Sequence, residues 1–160
     1  MSKILMINAD KCIGCRNCEL ACAMTHEGSF RPSATRIHVY TWEDVGFSVP
    51  MMCQQCDDAP CIPVCTPHAM QRNPETGWVD LDKNTCIGCK MCVQACPFGN
   101  AVWDSLQRQI LKCDLCGGDP ACAKFCPTEA LQWVDDLVAT RTRKRGFAAK
   151  FKIAVSGVTA

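Results

Sequence analysis

No stretch of this sequence approaches the ~20 consecutive apolar residues that a membrane-spanning helix needs. The first ten residues, Met-Ser-Lys-Ile-Leu-Met-Ile-Asn-Ala-Asp, turn polar too soon to form the apolar core of a secretory leader. The expectation is a cytoplasmic protein with no direct membrane span. Loops of the form Gly-x-Gly-x-x-Gly or Gly-x-x-x-x-Gly-Lys, which would cradle a dinucleotide or a nucleoside phosphate, are missing. So is any large excess of charge, the formal net being +1 over 160 residues. The basic run Arg141, Arg143, Lys144 and Arg145 has no interleaved aromatics, so it gives no nucleic-acid footprint. No set of residues supports substrate chemistry, and the catalytic set is expected to be empty.

Cysteine is abundant instead. Sixteen of 160 residues are Cys, a density that signals either a disulfide scaffold or a metal protein. Without an export signal the thiols stay reduced, which favours metal. All sixteen fall into four groups of four: Cys12, Cys15, Cys18, Cys22; Cys53, Cys56, Cys61, Cys65; Cys86, Cys89, Cys92, Cys96; and Cys113, Cys116, Cys122, Cys126. The first and third groups share a Cys-Ile-Gly-Cys core. In the second and fourth, Asp, Gly and Pro lengthen the gap before the third cysteine. Every group keeps three residues between its third and fourth cysteines. Ala69-Met70-Gln71 follows Cys65 at the same offset as Ala130-Leu131-Gln132 follows Cys126, so the repetition extends past the ligands and means duplicated units.

Each group packs its sulfurs into eleven to fourteen residues. That density overfills one zinc ion and fits one cubane, because three thiolates on a tight loop can reach three iron corners of one cluster. Zinc sites more often pair two Cys-x-x-Cys knuckles across a long spacer, so a zinc-bound interaction module is the alternative. Four cubanes at roughly −2 each would carry the formal charge from +1 to about −7. Gly88 permits the positive φ that a tight sulfur-wrapping loop needs, and Pro97 stops the short helix around Cys96.

The rest of the chain reads as framing. Alternating Ile4 to Ile7 and Trp78 to Leu81 lead into the first and third groups as strands. Arg36 to Trp42 is a strand in an inserted hairpin, punctuated by Gly28, Pro32 and Gly46. Leu131 to Val134 closes the array. Asp135-Asp136 then puts negative charge where a helix starts, and Phe147, Phe151 and Val155 give a further apolar helical face. Ile13, Ile62, Ile87, Met91 and Phe125 are expected to shield the clusters, and the four tryptophans to serve core packing. His26, His38 and His68 take ordinary structural roles. Asp57, Asp58, Asp114 and Asp119 are turn residues.

On the four-group cysteine pattern, which spans Ile4 to about Val134, the sequence resembles the ferredoxin-type electron-transfer subunits that accompany molybdenum and tungsten oxidoreductases, hydrogenases, formate dehydrogenases and carbon monoxide dehydrogenases. These form the dimethyl sulfoxide reductase electron-transfer subunit family. Within it the chain is most similar to the small subunit of tungsten-dependent aldehyde oxidoreductases. The resemblance implies an α+β fold of two interleaved bacterial-ferredoxin-like βαβ dicluster lobes. The four-cluster unit would cover 1–134, with an outer lobe of 1–30 plus 105–134, an inner lobe of 48–104 and an inserted β-hairpin at 31–47. A basic helical tail would fill 135–160.

The resemblance also implies the cofactors, four [4Fe-4S] clusters, and their ligands. One cluster would take Cys12, Cys15, Cys18 and Cys126, and its lobe-mate Cys113, Cys116, Cys122 and Cys22. The inner lobe would hold one on Cys53, Cys56, Cys61 and Cys96 and one on Cys86, Cys89, Cys92 and Cys65. The implied role is a non-catalytic relay of single electrons between a catalytic molybdenum- or tungsten-type subunit and a second redox partner such as a flavoprotein, with end-to-end self-association as a further arrangement. A free diffusing polyferredoxin is the alternative. The Cys-Pro signature of the family is whole only at Cys96 and Cys126. Cys22 precedes Ala23 and Cys65 precedes Thr66-Pro67, so the turns after those two are expected to differ.

Overall fold

The computed structural model describes residues 3–141, 144 and 145. Among the described residues the strands form four separate two-stranded antiparallel sheets. The first strand, β1 (Lys3–Ile7), pairs with the last, β8 (Leu131–Asp135), with Leu5 opposite Trp133. Between them lie β2 (Ile37–Trp42) with β3 (Phe47–Met52), β4 (Met70–Arg72) with β5 (Val79–Leu81), and β6 (Ala101–Asp104) with β7 (Gln109–Lys112). The alternating stretches singled out in the sequence are all strands, and the second arm of the hairpin reaches Met52. No βαβ crossover joins two strands of one sheet among the described residues, because every pair is antiparallel.

Among the elements that carry cysteines, α1 (Asn17–Glu27) holds Cys18 and Cys22 over eleven residues, whereas α2 (Met91–Ala95) and α3 (Ala121–Lys124) last about one turn. The difference follows from what comes after each fourth cysteine. Ala23 can continue a helix, so α1 runs through Cys22 to an αL cap at Gly28. After Cys96 and Cys126 the proline ends it. The turn after Cys65 matches those two despite its displaced proline: the amides of His68, Gly99 and Glu129 donate to the carbonyls of Cys65, Cys96 and Cys126 at 2.9, 3.2 and 3.2 Å. The expected difference is therefore present at Cys22 and absent at Cys65. His68 and Glu129 take positive φ (54° and 53°) where the third group has Gly99 (66°).

Two small cores result. One joins Cys18, Cys22, Cys113 and Cys122 with Ile37, Val39, Met52, Leu115 and Leu131. The other joins Cys65 and Cys92 with Ala69, Met70, Val79 and Ile110. Gln55 stitches them, donating to the Cys113 carbonyl (3.0 Å) and accepting from the Val79 amide (2.8 Å). Asn100 donates to the Met52 carbonyl (2.7 Å), and Arg31 forms a two-pronged pair with Asp104 (2.8 and 3.2 Å). The strand β8 is followed at once by helix from residue 136, with Asp136 in its first turn. Phe147, Phe151, Val155 and Arg143 lie outside the described residues. Among the described residues no helix is long and apolar enough to cross a membrane.

Candidate metal centres

The repeated loops begin with identical backbone. Gly14 and Gly88 sit at φ 68° and 69°, and Arg16 and Lys90, just before α1 and α2, at 60° and 65°. Two left-handed residues per loop curl Cys12, Cys15, Cys18 and Cys86, Cys89, Cys92 around a common centre. A Cβ on Gly14 would lie 2.8 Å from the Ser48 hydroxyl, and one on Gly88 would lie 3.2 Å from the Trp103 ring. In the longer loops the left-handed residues are Gln55 in the second group and Leu115, Cys116, Gly117 and Gly118 in the fourth.

In two places the fourth thiol comes from elsewhere in the chain. Cys12, Cys15, Cys18 and Cys126 line one cavity, with about 290 Å³ of empty space walled by Val39, Pro50 and Leu131. Cys86, Cys89, Cys92 and Cys65 line another of about 290 Å³, walled by Met70, Leu81 and Ile110. The other eight thiols are related electrostatically. Cys122 lies within reach of Cys113, Cys22 and Cys116, while Cys56 and Cys61 each lie within reach of Cys53 and Cys96. Cys113 also feels Cys53, and Cys122 feels Cys18, so neighbouring sets adjoin.

The thiol environment is apolar. Burial pushes the Cys18 and Cys113 thiols up to about 12 and the Cys92 thiol up to about 11. Desolvation raises Cys22, Cys56, Cys61, Cys116 and Cys122 as well. Cys126 goes the other way. Burial opposes its ionisation, but the amides of Leu131, Ala130 and Thr128 and the Thr128 hydroxyl outweigh it. Amides also point at Cys22 (from Arg36, 3.3 Å), Cys65 (from Met70, 3.3 Å) and Cys96 (from Asn100, 3.4 Å). Such donors stabilise electron-rich sulfur, which fits thiolates bound to iron better than neutral thiols.

Buried charge gives a second test of fit. Arg36 is 5% exposed and Lys112 6% exposed. Arg36 Nη1 has no hydrogen-bond partner among the described residues, and neither cation forms an ion pair there. A buried cation needs negative charge nearby, and clusters on the adjacent cysteines would supply it. The residues therefore suit iron–sulfur cubanes.

Some expectations need correction. Ile13, Ile87, Phe125 and Met91 do not bury themselves over the clusters: Ile13 is 67% exposed and Ile87 72%. They form the rims of the loops, and Ile13 and Ile87 line the edges of the two cavities while remaining exposed. Three of the tryptophans do pack on the cores, Trp78 and Trp133 on one and Trp103 on the other, and only Trp42 departs from the expectation. Trp78 and Trp133 meet edge to face at 5.9 Å, Trp103 lies under the Lys90 ammonium at 4.3 Å, and Trp42 is exposed against Phe47. His26 lies beside the fourth cysteine group, its Nε2 3.5 Å from Cys116 Sγ and 3.5 Å from an Asp114 oxygen. Burial and the nearby Arg36 hold its imidazole below the usual range. Asp114 behaves as a turn residue, accepting from the Cys116 amide (3.0 Å), and Asp119 bonds Lys124.

Residues 45–136 match the family described as a 4Fe-4S dicluster domain. YsaA of Escherichia coli K12, named as an electron transport protein, is 38% identical over 155 residues, covering 91% of this chain and 98% of that protein. The polyferredoxin-like subunit of the aliphatic sulfonate oxidoreductase of Pyrococcus furiosus is 40% identical over 122 residues, covering 76% of this chain and 70% of that one. Among solved structures, a chain of the active site complex BamBC of benzoyl coenzyme A reductase with 1,5-dienoyl-CoA superposes with a TM-score of 0.51 at 28% identity, over 82% of this chain and 75% of that chain.

Proposed function

The chain belongs to the 4Fe-4S dicluster ferredoxin-type family of electron-transport proteins, and on that premise we propose that it holds four [4Fe-4S] clusters and relays single electrons between a catalytic oxidoreductase subunit and a second redox partner. The ligand sets are Cys12, Cys15, Cys18 and Cys126; Cys113, Cys116, Cys122 and Cys22; Cys53, Cys56, Cys61 and Cys96; and Cys86, Cys89, Cys92 and Cys65. They divide between two interleaved lobes, the outer closed by β1 on β8. The carrying observation is that the thiols of Cys126 and Cys65 line the cavities that the Cys12 and Cys86 loops wrap.

Bound cubanes supply one-electron storage with little change of shape. The chain's own part is to position them, exclude water and aim amides at sulfur. Exposed Ile13 and Ile87 put an apolar rim at two mouths, the kind of surface a partner subunit desolvates on docking. The oxidoreductase subunit from Pyrococcus furiosus supports a catalytic partner, and molybdenum- or tungsten-dependent enzymes, including aldehyde oxidoreductases, fit the sequence resemblance. Anaerobic analysis of the purified chain should find about sixteen iron and sixteen sulfide per protein. Isolation under mild lysis should recover it with a larger redox subunit. A colourless zinc-loaded chain would overturn the reading, and a chain that always runs alone would replace the subunit by a diffusing carrier.

A further inference from the structure

Charge is distributed unevenly inside this protein. Every other lysine and arginine among the described residues is exposed, or, for Arg31, half-buried and paired with Asp104 and Glu27. Arg36 and Lys112 alone are buried cations, and they line the same cavity, together with Val79, Ile110, Cys113 and Asp114. That cavity lies where the two cores meet. Ile110 and Val79 belong to one core and Cys113 to the other.

Their contacts divide between two thiol sets. The Arg36 amide donates to Cys22 Sγ at 3.3 Å, and its guanidinium favours the ionised forms of Cys22 and Cys116. The Lys112 ammonium is tied to the carbonyls of Val79 and Cys113, and favours the ionised form of Cys61. The carboxylates of Asp80 and Asp114 border the cavity without pairing to either cation. Two carbonyl oxygens satisfy hydrogen bonds but leave the ammonium charge uncompensated, and the guanidinium has an orphan nitrogen.

We propose that Arg36 and Lys112 are tuning residues, fixed buried charges that raise the reduction potentials of the two clusters on Cys113, Cys116, Cys122, Cys22 and on Cys53, Cys56, Cys61, Cys96. This rests on the four-cluster reading above. When a cubane accepts one electron from an outside donor, its core goes from 2+ to 1+, and with four thiolates its charge goes from about −2 to about −3. A cation held in a poorly solvated interior favours the more negative state far more than an exposed one, whose field water and salt screen. Lys90 and Lys124, though close in sequence to cluster cysteines, are exposed and act weakly. The interior pair therefore makes the middle of the array the easier place for an electron to rest. Neither residue binds iron, so both act through the field alone.

The test uses the full chain, loaded anaerobically, with iron and sulfide counted before potentials are read. Dithionite is the one-electron reductant, and electron paramagnetic resonance follows each reduction. Arg36→Met and Lys112→Met remove the charge and keep the bulk; Arg36→Lys and Lys112→Arg keep the charge. In each neutral variant, one or two of the four reduction waves should move to lower potential by at least a tenfold change in reduction equilibrium, 59 mV for a one-electron couple. The remaining waves should stay, and the charge-keeping variants should match the unaltered protein. Unmoved waves, or all four moving equally, would overturn the assignment. If a neutral variant loses iron while its charge-keeping partner loads normally, the charge role stands. If both lose it, the side chain acts by packing and the proposal falls. An unaltered chain that lacks its sixteen irons would instead sink the four-cluster reading.

Discussion

Gly14 gives the sharpest test of how the sequence builds a cluster loop. An alanine there must hold φ near +68°, which costs a non-glycine residue about 1–2 kcal/mol. Its Cβ would also come within 2.8 Å of Ser48 Oγ. Ser48 is buried and donates to the Thr41 hydroxyl at 3.1 Å, so swinging it aside gives up a hydrogen bond of about 1 kcal/mol. Gly14→Ala should thus destabilise the chain by about 2–3 kcal/mol. Gly88→Ala has nearly the same φ (69°) but meets only the edge of the Trp103 ring at 3.2 Å, and should lose nearer 1–2 kcal/mol. Urea midpoints of the holoproteins measure the difference. Adding Ser48→Ala to Gly14→Ala should recover the crowding part and leave the backbone part. Equal losses at both glycines, or no recovery without Ser48, would refute this division.

Three further outcomes follow from the geometry. Cys96→Ser should first strip about four irons from the site of Cys53, Cys56 and Cys61, leaving the signals of the other clusters intact; loss centred on Cys86, Cys89 and Cys92 would contradict the ligand exchange. Glu19→Ala should cost about 1–3 kcal/mol in a denaturation midpoint, because the buried carboxylate accepts the Val39 amide at 2.6 Å and alanine leaves that N–H unpaired. The metal-free chain should lose stability as pH rises. Cys18 and Cys113 ionise near 9 when unfolded and at about 12 when folded, so the native state binds more protons between those values. That stability is complete below pH 9 and drains away as pH climbs toward 12, whereas iron-bound thiolates should make the loaded chain nearly flat over the same range.

The cysteine groups, the left-handed glycines, the hairpin and the closing strand are legible because each is a local pattern. A spacing of two residues fixes three sulfurs on one loop, and alternation from Ile4 to Ile7 marks a strand without reference to anything distant. What pairs with that strand is not local. β1 meets β8 across nearly the whole chain. The turn after Cys65 shows another limit: a proline one place late still permits the same amide-to-carbonyl bond, because the turn is set by the left-handed residue at His68 and not by proline alone. Arg36 reads in sequence as one more residue of an alternating strand, and Lys112 only as the residue before a cysteine. Nothing at either position signals a buried cation. Their meaning arises only when strands from different parts of the chain meet around one cavity. His26 and Gln55 are illegible for the same reason, since their partners Cys116 and Cys113 are 90 and 58 residues away.

The exposure of Ile13 and Ile87 changes how the repeated Cys-Ile-Gly-Cys motif is understood. A side chain meant only to exclude water would fold inward, yet both remain exposed while lining a cavity edge. Cys15 and Cys89, two residues on, are exposed as well, whereas Cys22, Cys113 and Cys122 are buried. Under the four-cluster reading, the two sets with exposed thiols are the natural points of electron entry and exit. The sets between them hold the buried cations. Water at an open mouth stabilises charge without any help from the chain, so those sites need no buried lysine or arginine. At the two sets beside Arg36 and Lys112, whose thiols are buried or half-buried, a buried cation offsets the accepted electron where less water reaches. The same fold thus handles charge by solvent at its ends and by Arg36 and Lys112 in its middle, and a partner that docks on Ile13 or Ile87 would remove the solvent and lower the potential of the site beneath it unless it brought a cation of its own.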